Sequence, residues 1–342
     1  MRRTIYKFHK WLGLAFGLLL MMQAGSGVVL SFRPQIQGVE LQLRAAAGGV
    51  VEVNEAIAAT RSKFPHLMPE RVLVPQHTGG ATVVRLEEGR GPRFVAVLAG
   101  EQVGLVALPM HSALQWLFEW HEGLWWGGSG RWVLVFQAML LFGFVGSGLY
   151  FWWPLRHKQG LRVKWKAASA RRWYDLHRVV GVCVSPLLML TLVTGGTMVG
   201  RALAASGPAM PRPAVAEGNE GAPIRIDTEF VCGSCGQLKE IRLSPDGGYR
   251  LIYISQNSPW PLASDSVRIA PNGEALVSLA EGASGSQRLL GWMYPLHSGK
   301  AIGWFGQFII FVVGVSLLLL PVFATLLWVR RLKKKKRVAH GA

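Results

Sequence analysis

Four histidines occupy matching places in two patterns that the sequence uses twice. In the first pattern, a glycine follows the histidine at +4, and a hydroxyl residue and a second glycine follow at +17 and +18. Its two copies are His9, Gly13, Ser26 and Gly27, and His177, Gly181, Thr194 and Gly195. In the second pattern, glycines follow the histidine at +2, +6 and +9. Its two copies are His121, Gly123, Gly127 and Gly130, and His297, Gly299, Gly303 and Gly306. Such self-similarity indicates two tandem units.

Paired histidines of this kind suit the ligation of a metal. Two units with the same orientation are related by a pseudo-two-fold axis, which would place His9 opposite His177 and His121 opposite His297. A six-coordinate b-type haem takes one histidine from each side of the porphyrin, and four-helix bundles hold such groups in their cores. We therefore predict two b-type haems, with these four histidines as ligands of the haem iron.

A zinc site fits the pattern less well, because zinc uses three or four protein ligands. Further candidate ligands near the histidines are Glu122 and His111, which lies ten residues before His121. His111 stays open as an alternative to His121 as a haem ligand.

The composition indicates which elements carry these histidines. Half of the residues are hydrophobic and 14 are tryptophan, and the mean hydropathy of +0.27 is high for a soluble protein. Four stretches lack Asp, Glu, Lys and Arg, and each is long enough to cross a bilayer, which takes about 20 residues. They are 11–32, 132–155, 179–200 and 301–329. Each histidine precedes one of them, so we predict a bundle of four transmembrane helices.

The excess of basic residues indicates how the chain sits in the membrane. The net charge is +18, and the segment before the first span, residues 156–178 and residues 330–337 account for all of it, with 19 basic residues and one acid, Asp175. The positive-inside rule makes both termini and the central loop cytoplasmic. Charge concentrated at membrane edges favours a lipid bilayer as the partner and argues against nucleic acid. The first span also resembles a cleaved signal peptide, but its apolar run is too long for one.

The two segments on the other side of the membrane contain short alternating runs. In the first segment, a helix signal at 54–65 precedes runs at 71–74, 81–86, 93–98 and 103–108. In the second segment, similar runs occur at 241–243, 249–255, 267–270 and 275–279. We predict one helix on a small antiparallel sheet for the first, comparable strands for the second, and a linker at 201–224, which is rich in Pro, Ala and Gly.

The predicted fold class is a mainly α membrane protein, a four-transmembrane-helix bundle of two tandem repeats, each with an α+β extracytoplasmic insertion. The predicted segments are transmembrane helix 1 at 1–32, the first outside domain at 33–110, an interfacial segment and transmembrane helix 2 at 111–155, a basic cytoplasmic loop at 156–178, transmembrane helix 3 at 179–200, the second outside domain at 201–296, transmembrane helix 4 at 297–329, and a basic cytoplasmic tail at 330–342.

Residues around the histidines allow two interpretations. The small residues Gly13, Gly17, Ala24 and Gly27 share one face of the first span and leave room for a flat macrocycle or for close helix packing. Basic residues beside the inner histidines could pair with haem propionates or only set the topology. Tryptophans cluster near the outer interface, where they form an aromatic belt or contribute to a binding pocket. These are Trp116, Trp120, Trp125, Trp126, Trp132, Trp292 and Trp304.

Cys232 and Cys235 form a CxxC motif in the second outside segment. A local disulfide is the prediction, because no βαβ pattern of a thioredoxin surrounds the motif, and a redox pair or metal site is the alternative. The chain has no glycine-rich nucleotide-binding motif. Electrons for a haem would therefore come from a separate cytoplasmic reductase or from membrane quinol.

The sequence resembles the PepSY-associated transmembrane family, iron-regulated bacterial inner-membrane proteins that include haem-containing ferric-siderophore reductases. The resemblance spans the whole chain and rests on FHKWLGLAFGLLLMMQAGSGVVLSF, YDLHRVVGVCVSPLLMLTLVTG and PLHSGKAIGWFGQ. VNEAIAATRSKFP is similar to the helix that opens a PepSY module. One departure is Ser26, which stands where the family usually has threonine.

The resemblance implies PepSY-like domains in the periplasm, His9, His177, His121 and His297 as haem ligands, and an oxidoreductase that reduces a ferric siderophore or similar ferric chelate during iron acquisition. The alternatives are a non-redox accessory or scaffold of iron uptake, and a His-lined transition-metal transporter. A transporter should have acidic or Met ligands at mid-membrane, whereas the spans contain scattered methionines and no carboxylate.

Overall fold

A computed structural model describes residues 1–45, 51–76, 80–87, 91–99, 103–158, 160–205, 226 and 232–340. The helices are α1 Arg2–Ser31, α2 Arg33–Ala45, α3 Val53–Lys63, α4 Pro109–Gly123, α5 Gly128–Trp152, α6 Ser169–Ala205, α7 Gly285–Gly291, α8 Met293–His297 and α9 Gly303–His340. The strands are β1 Met68–Leu73, β2 Thr82–Glu87, β3 Arg93–Leu98, β4 Gly104–Ala107, β5 Leu238–Leu243, β6 Tyr249–Ile254, β7 Ser264–Ile269 and β8 Ala275–Ser278.

The chain divides into two compact units. The helical unit comprises Met1–Ser31, Trp120–Ala205 and Met293–Ala342, and the sheet unit comprises Phe32–Glu119 and Ser206–Trp292. The chain therefore enters and leaves each unit more than once, and long-range contacts define both units.

Four helices of the helical unit have the length and apolar composition of membrane spans: Arg2–Ser31, Gly128–Leu155, Ser169–Ala205 and Lys300–Arg330. Their backbones satisfy their own hydrogen bonds, which a lipid environment requires. α1 packs against α9, α5 against α6, and α6 against α9. Apolar side chains fill the centre of the bundle, among them Val145, Val184 and Leu317. The four predicted spans are confirmed as apolar helices.

The helices are longer than the charge-free stretches. α1 begins at Arg2 and α6 at Ser169, so both continue through basic residues that the sequence assigned to flanks and loop. His9 and His177 consequently lie inside continuous helices, whose backbones give each ring a defined direction. α9 likewise continues to His340.

The sheet unit contains one antiparallel sheet of eight strands in the order β4-β3-β2-β1-β5-β6-β7-β8. Two separate outside domains were expected, each with its own strands. The strands lie where the sequence places them, but β1 pairs with β5, with Val72 opposite Ile241. This pairing covers two edges that would otherwise expose unpaired N–H and C=O groups, and it joins the two inserted segments.

Each face of this sheet is covered differently. α3 packs on one face through Val53, Ala56 and Ile57, in a core that includes residues of both halves of the sheet. On the other face, a smaller core around Val83 and Phe94 packs against partly buried residues that include Leu41 of α2. α2 was not expected from the sequence, and residues 206–224 of the predicted linker lie outside the described residues.

Candidate metal-binding histidine pairs

The structure brings the four histidines of the repeated patterns together as two pairs. The ring centroids of His9 and His177 are 6.4 Å apart, with an angle of 86° between the ring planes. Those of His121 and His297 are 6.3 Å apart, with an angle of 55°. Two imidazoles on opposite sides of one metal ion have centroids about 6 Å apart, since each metal–nitrogen bond is about 2 Å long and the bonded nitrogen lies about 1 Å from its ring centroid. Both pairs fit this separation.

A hydroxyl group orients His9 in the pair formed by His9 and His177. The Ser147 hydroxyl donates to the carbonyl oxygen of Phe144 at 2.6 Å. Because its proton is used in that bond, its oxygen accepts from Nδ1–H of His9, at 2.7 Å. The lone pair of a neutral His9 is then on Nε2, which is the tautomer that can ligate a metal through that atom. The Phe144 ring also stacks on His9, with centroids 4.3 Å apart.

The partner histidine is held by the main chain. Nδ1 of His177 lies 3.1 Å from the carbonyl oxygen of Leu320 in α9. A carbonyl only accepts, so Nδ1 carries the proton and Nε2 carries the lone pair, as in His9. An apolar cleft of about 530 Å³ adjoins this pair at Ser147 and is lined also by Ile5 and Phe8.

The pair formed by His121 and His297 repeats this arrangement. Ser26 donates its hydroxyl proton to the carbonyl of Gln23 at 2.9 Å and contacts Nδ1 of His121 at 2.8 Å. Nδ1 of His297 lies 3.0 Å from the carbonyl oxygen of Thr191 and 3.2 Å from the hydroxyl of Thr194. Both residues therefore have Nδ1–H and a lone pair on Nε2.

His121 and His297 lie before the spans Gly128–Leu155 and Lys300–Arg330 and are neutral at neutral pH. Burial, with a smaller contribution from His297, lowers the pKa of His121 to about 4. Burial also lowers the pKa of His297, opposed by its contact with Thr191. The neutral imidazole is the form that binds metals.

The repeated glycines have two structural roles. A Cβ atom at Gly130 would collide with the carbonyl of Gly123, and one at Gly306 would collide with that of Gly299. The glycine at +9 therefore lets the chain turn tightly between the short helix that ends near the histidine and the span that follows.

Other glycines face the histidine rings themselves. A Cβ atom would lie 3.3 Å from Cε1 of His9 at Gly148, 3.2 Å from Cε1 of His121 at Gly27, and 2.8 Å from Cε1 of His297 at Gly195. By contrast, Gly13, Gly17 and Gly181 face Phe144, Pro321 and Leu320. Close helix packing therefore accounts for Gly13 and Gly17, whereas Gly27 lies against a histidine ring. Gly148 was not recognised from the sequence.

Two basic residues near His9 and His177 have a buried acidic partner. Asp175 is completely buried, two residues before His177, and its carboxylate lies 3.2 Å from both Arg171 and Arg178. It also accepts from the backbone N–H of Lys164 at 3.3 Å. Asp175 is therefore the centre of an ion-pair cluster, and these two arginines are engaged by it.

His111 lies in the sheet unit, where it forms a buried pair with Glu40. Nδ1 of His111 is 2.6 Å from Oε2 of Glu40, and both side chains are buried. Glu40 also accepts the backbone N–H groups of Met110 and His111, which places a carboxylate at the N-terminus of α4. Burial lowers the pKa of His111, and Glu40 opposes that shift. The residue that faces His297 is His121.

Cys232 and Cys235 form a disulfide in the sheet unit. Cys235 is buried in the core beneath the sheet, and Cys232 packs against the same core. Within the described ranges, no three residues of the types His, Cys, Asp and Glu group together as a metal site would need. Trp126, Trp132 and Trp304 are exposed, which suits side chains of an aromatic belt.

Comparison with known proteins supplies the family. The family model of the PepSY-associated TM region matches residues 6–331. No curated protein matches the chain. Since the match extends from the first helix through the fourth span and includes all four paired histidines, the chain belongs to the PepSY-associated transmembrane family.

Proposed function

We propose that this protein is a transmembrane electron carrier that holds two b-type haems and reduces a ferric siderophore or similar ferric chelate in the bacterial periplasm. The observation that supports it is the pairing of His9 with His177 and of His121 with His297 at the separation that one metal ion between two rings requires. His9 and His177 would hold one haem, and His121 and His297 the other.

Hydrogen bonds to uncharged groups prepare these histidines for ligation. Hydroxyl and carbonyl oxygens hold Nδ1–H in each ring and leave the Nε2 lone pair for the metal. Such outer-shell hydrogen bonds orient a ligand and raise its basicity. A haem with two histidine ligands supplies one-electron transfer and offers no open position for a substrate.

The two histidine pairs also support the proposed tandem repeat. Phe144 follows His121 by 23 residues, and Leu320 follows His297 by the same interval. Phe144 stacks on His9, and Leu320 contacts His177. Equivalent positions of the two copies thus support the equivalent histidine, as expected for units related by a pseudo-two-fold axis.

The basic flanks give the proposed orientation. We place the protein in the inner membrane with both termini cytoplasmic, because the termini and the central loop carry the excess of Lys and Arg. His9 and His177 are then near the cytoplasm, and His121, His297 and the PepSY-like sheet unit are on the periplasmic side. A cytoplasmic reductase or membrane quinol is the proposed electron donor.

Reduction suits the release of iron from a chelate. Hard oxygen ligands hold iron(III) tightly and hold iron(II) less well. The periplasmic side chains need only bind and position the chelate, and no acid–base residue is required.

An absorption spectrum of the purified protein, oxidised and then reduced with dithionite, tests the cofactor. We expect a bis-histidine haem spectrum, and we expect His9→Ala and His297→Ala each to remove about half of the haem, because each disables one of two sites. His66→Ala, at an exposed histidine of the sheet unit, is the control and should retain all of it. Full haem content in both ligand variants would exclude these residues as ligands.

Anaerobic mixing of the reduced protein with a ferric siderophore tests the substrate. Rapid reoxidation is expected in the wild type, and a slower reaction in His297→Ala. If ferric chelates leave the reduced haems unchanged while a quinone oxidises them, the substrate is wrong. A protein that contains no haem would favour a scaffold, and one that transports a metal ion would favour a transporter.

A further inference from the structure

Five arginines lie directly opposite one another across five adjacent strands of the sheet unit. The register pairs Arg85 with Arg71, Arg71 with Arg242, Arg242 with Arg250, and Arg250 with Arg268. Residues that are directly opposite in antiparallel strands point to the same face of the sheet. These side chains therefore form a continuous arginine row, which runs from β2 to β7 on the face opposite α3.

The row is costly for the folded protein unless other groups compensate it, because like charges directly opposite one another destabilise a sheet. At one end of the row, acidic residues form ion pairs with the arginines. Glu70 lies 2.8 Å from Arg85, and Glu240 lies 3.1 Å from Arg71 and 2.6 Å from Arg242. These acids neutralise part of the charge on β2, β1 and β5.

The other end has no such partner. Arg250 and Arg268 are exposed, and no acid of the described part of the chain forms an ion pair with either. A cavity of about 370 Å³ opens there, lined by Arg71, Arg242, Arg250 and Arg268 together with Glu70. The guanidinium groups of neighbouring strands thus converge on one space.

The dimensions of this space define what it can bind. Neighbouring strands are about 5 Å apart, so Arg242 to Arg268 spans about 10 Å of sheet. Each guanidinium presents a planar fork of N–H donors that matches a carboxylate or phosphate with two hydrogen bonds. The space suits a compact ligand with two or more oxyanion groups.

We propose that the end of the arginine row at β6 and β7 binds an anionic, carboxylate-bearing ferric chelate. The identity of the metal in the ligand rests on the proposed function, whereas the requirement for an anionic ligand rests on the arginines alone. Charge complementarity selects this occupant, since Arg250 and Arg268 form no ion pair with an acid among the described residues. The row thereby explains a cluster of like charges that folding alone does not favour.

The test measures binding of gallium(III) citrate to the full-length protein in nanodiscs of zwitterionic lipid by calorimetry. Gallium(III) is not reduced, so the result is independent of haem and of electron transfer. Arg250→Gln/Arg268→Gln should weaken binding by about tenfold or more, because it removes charge-assisted hydrogen bonds. Thermal unfolding of this variant should be unchanged or improved, which separates a lost site from a lost fold.

The matched control is Arg61→Gln/Lys63→Gln, which removes the same charge from α3, on the opposite face of the sheet. It should bind gallium citrate like the wild type. An equal loss of affinity in both double variants, or no loss in either, would overturn the proposal. So would equally tight binding of a cationic gallium(III) trihydroxamate complex.

A phospholipid head group could present the same oxyanion chemistry, and nanodiscs that contain anionic lipid distinguish it. In these nanodiscs, we expect the protein to bind gallium citrate with unchanged affinity. The anionic lipid could instead compete with gallium citrate for the wild type but not for the Arg250→Gln/Arg268→Gln variant. That result would assign the row to lipid and overturn the proposal. If gallium citrate binds through the arginines but the protein holds no haem, the proposed function fails and this site stands.

Discussion

At the scale of single residues, the direction of hydrogen bonds is what makes the histidines suitable ligands. Ser147 and Ser26 each donate a hydroxyl hydrogen bond to a carbonyl three residues earlier, so their oxygens can only accept from the imidazole. Leu320 and Thr191 offer carbonyl oxygens directly. All four rings are therefore held in one tautomer by uncharged hydroxyl and carbonyl oxygens of neighbouring helices rather than by charged partners.

The glycines that face the rings lead to a graded prediction. Gly195→Ala would bring a Cβ atom within 2.8 Å of His297, and Gly27→Ala within 3.2 Å of His121. We expect Gly195→Ala to lower the affinity for the proposed haem between His121 and His297 by about tenfold, the scale of a disturbed ligand environment, and Gly27→Ala to lower it less. Haem titration of the apoprotein measures both.

Gly200→Ala is the control for this series. Gly200 lies in the same helix as Gly195, and a Cβ atom there would meet nothing within 4 Å. It should leave haem affinity unchanged and favour helix formation. Equal affinities in all three alanine variants would contradict the close approach of Gly195 to His297.

At the scale of elements, two features depend on close approach of the backbone. The tight connection between α4 and α5 needs glycine at Gly130, whose Cβ atom would collide with the carbonyl of Gly123, and Leu124 and Trp125 have positive φ angles of 52° and 61°. The pairing of β1 with β5 joins strands about 170 residues apart in sequence. The first feature can be recognised as a repeated local pattern, and the second cannot.

The disulfide leads to a prediction about the sheet unit. Replacing Cys232 and Cys235 by serine should lower the free energy of unfolding by about 2 kcal/mol, as expected for a short closed loop, and more if the buried Cys235 leaves a polar group unpaired. Chemical denaturation of the purified protein measures the loss, and the haem spectrum should be unchanged. Cys183→Ser, which breaks no disulfide, is the control.

A different outcome would change the role of this motif. If the double serine variant keeps its stability and its haem but no longer transfers electrons to a ferric chelate, Cys232 and Cys235 act as a redox pair. Loss of haem in that variant would instead indicate that the sheet unit is needed for haem binding.

At the scale of the whole molecule, charge and hydropathy support the proposed topology. The basic flanks contain the entire net charge of +18, and the four apolar helices separate them from the segments of the sheet unit. Basic residues close to span ends resist translocation. An even number of spans then puts both termini on the same side.

Cysteine labelling in intact cells tests this orientation. In a Cys183→Ser background, His157→Cys in the basic loop should react with a membrane-impermeant maleimide only after the inner membrane is opened. Asn272→Cys, at an exposed turn of the sheet unit, should react before that. The disulfide protects Cys232 and Cys235, and the Cys183→Ser parent reports background labelling. Labelling of the two sites in the reverse order would invert the proposed topology.

The sequence by itself determined the features that depend on local composition and on repetition. Runs of uncharged apolar residues mark the four spans, alternating runs mark the strands, and the matched offsets of His9 with His177 and of His121 with His297 identify the pairs that the structure brings together. Each of these signals is contained in a short window or in its copy, so no knowledge of distant contacts is needed.

Only the tertiary structure decided which groups meet across long sequence separations. The contact of His9 with Ser147, the single sheet formed through β1 and β5, and the arginine row across five strands depend on helix packing and strand register. Strand order and register are set by the sum of many weak, non-local contacts. A sequence read along the chain therefore shows five separate arginines where the folded protein presents one row.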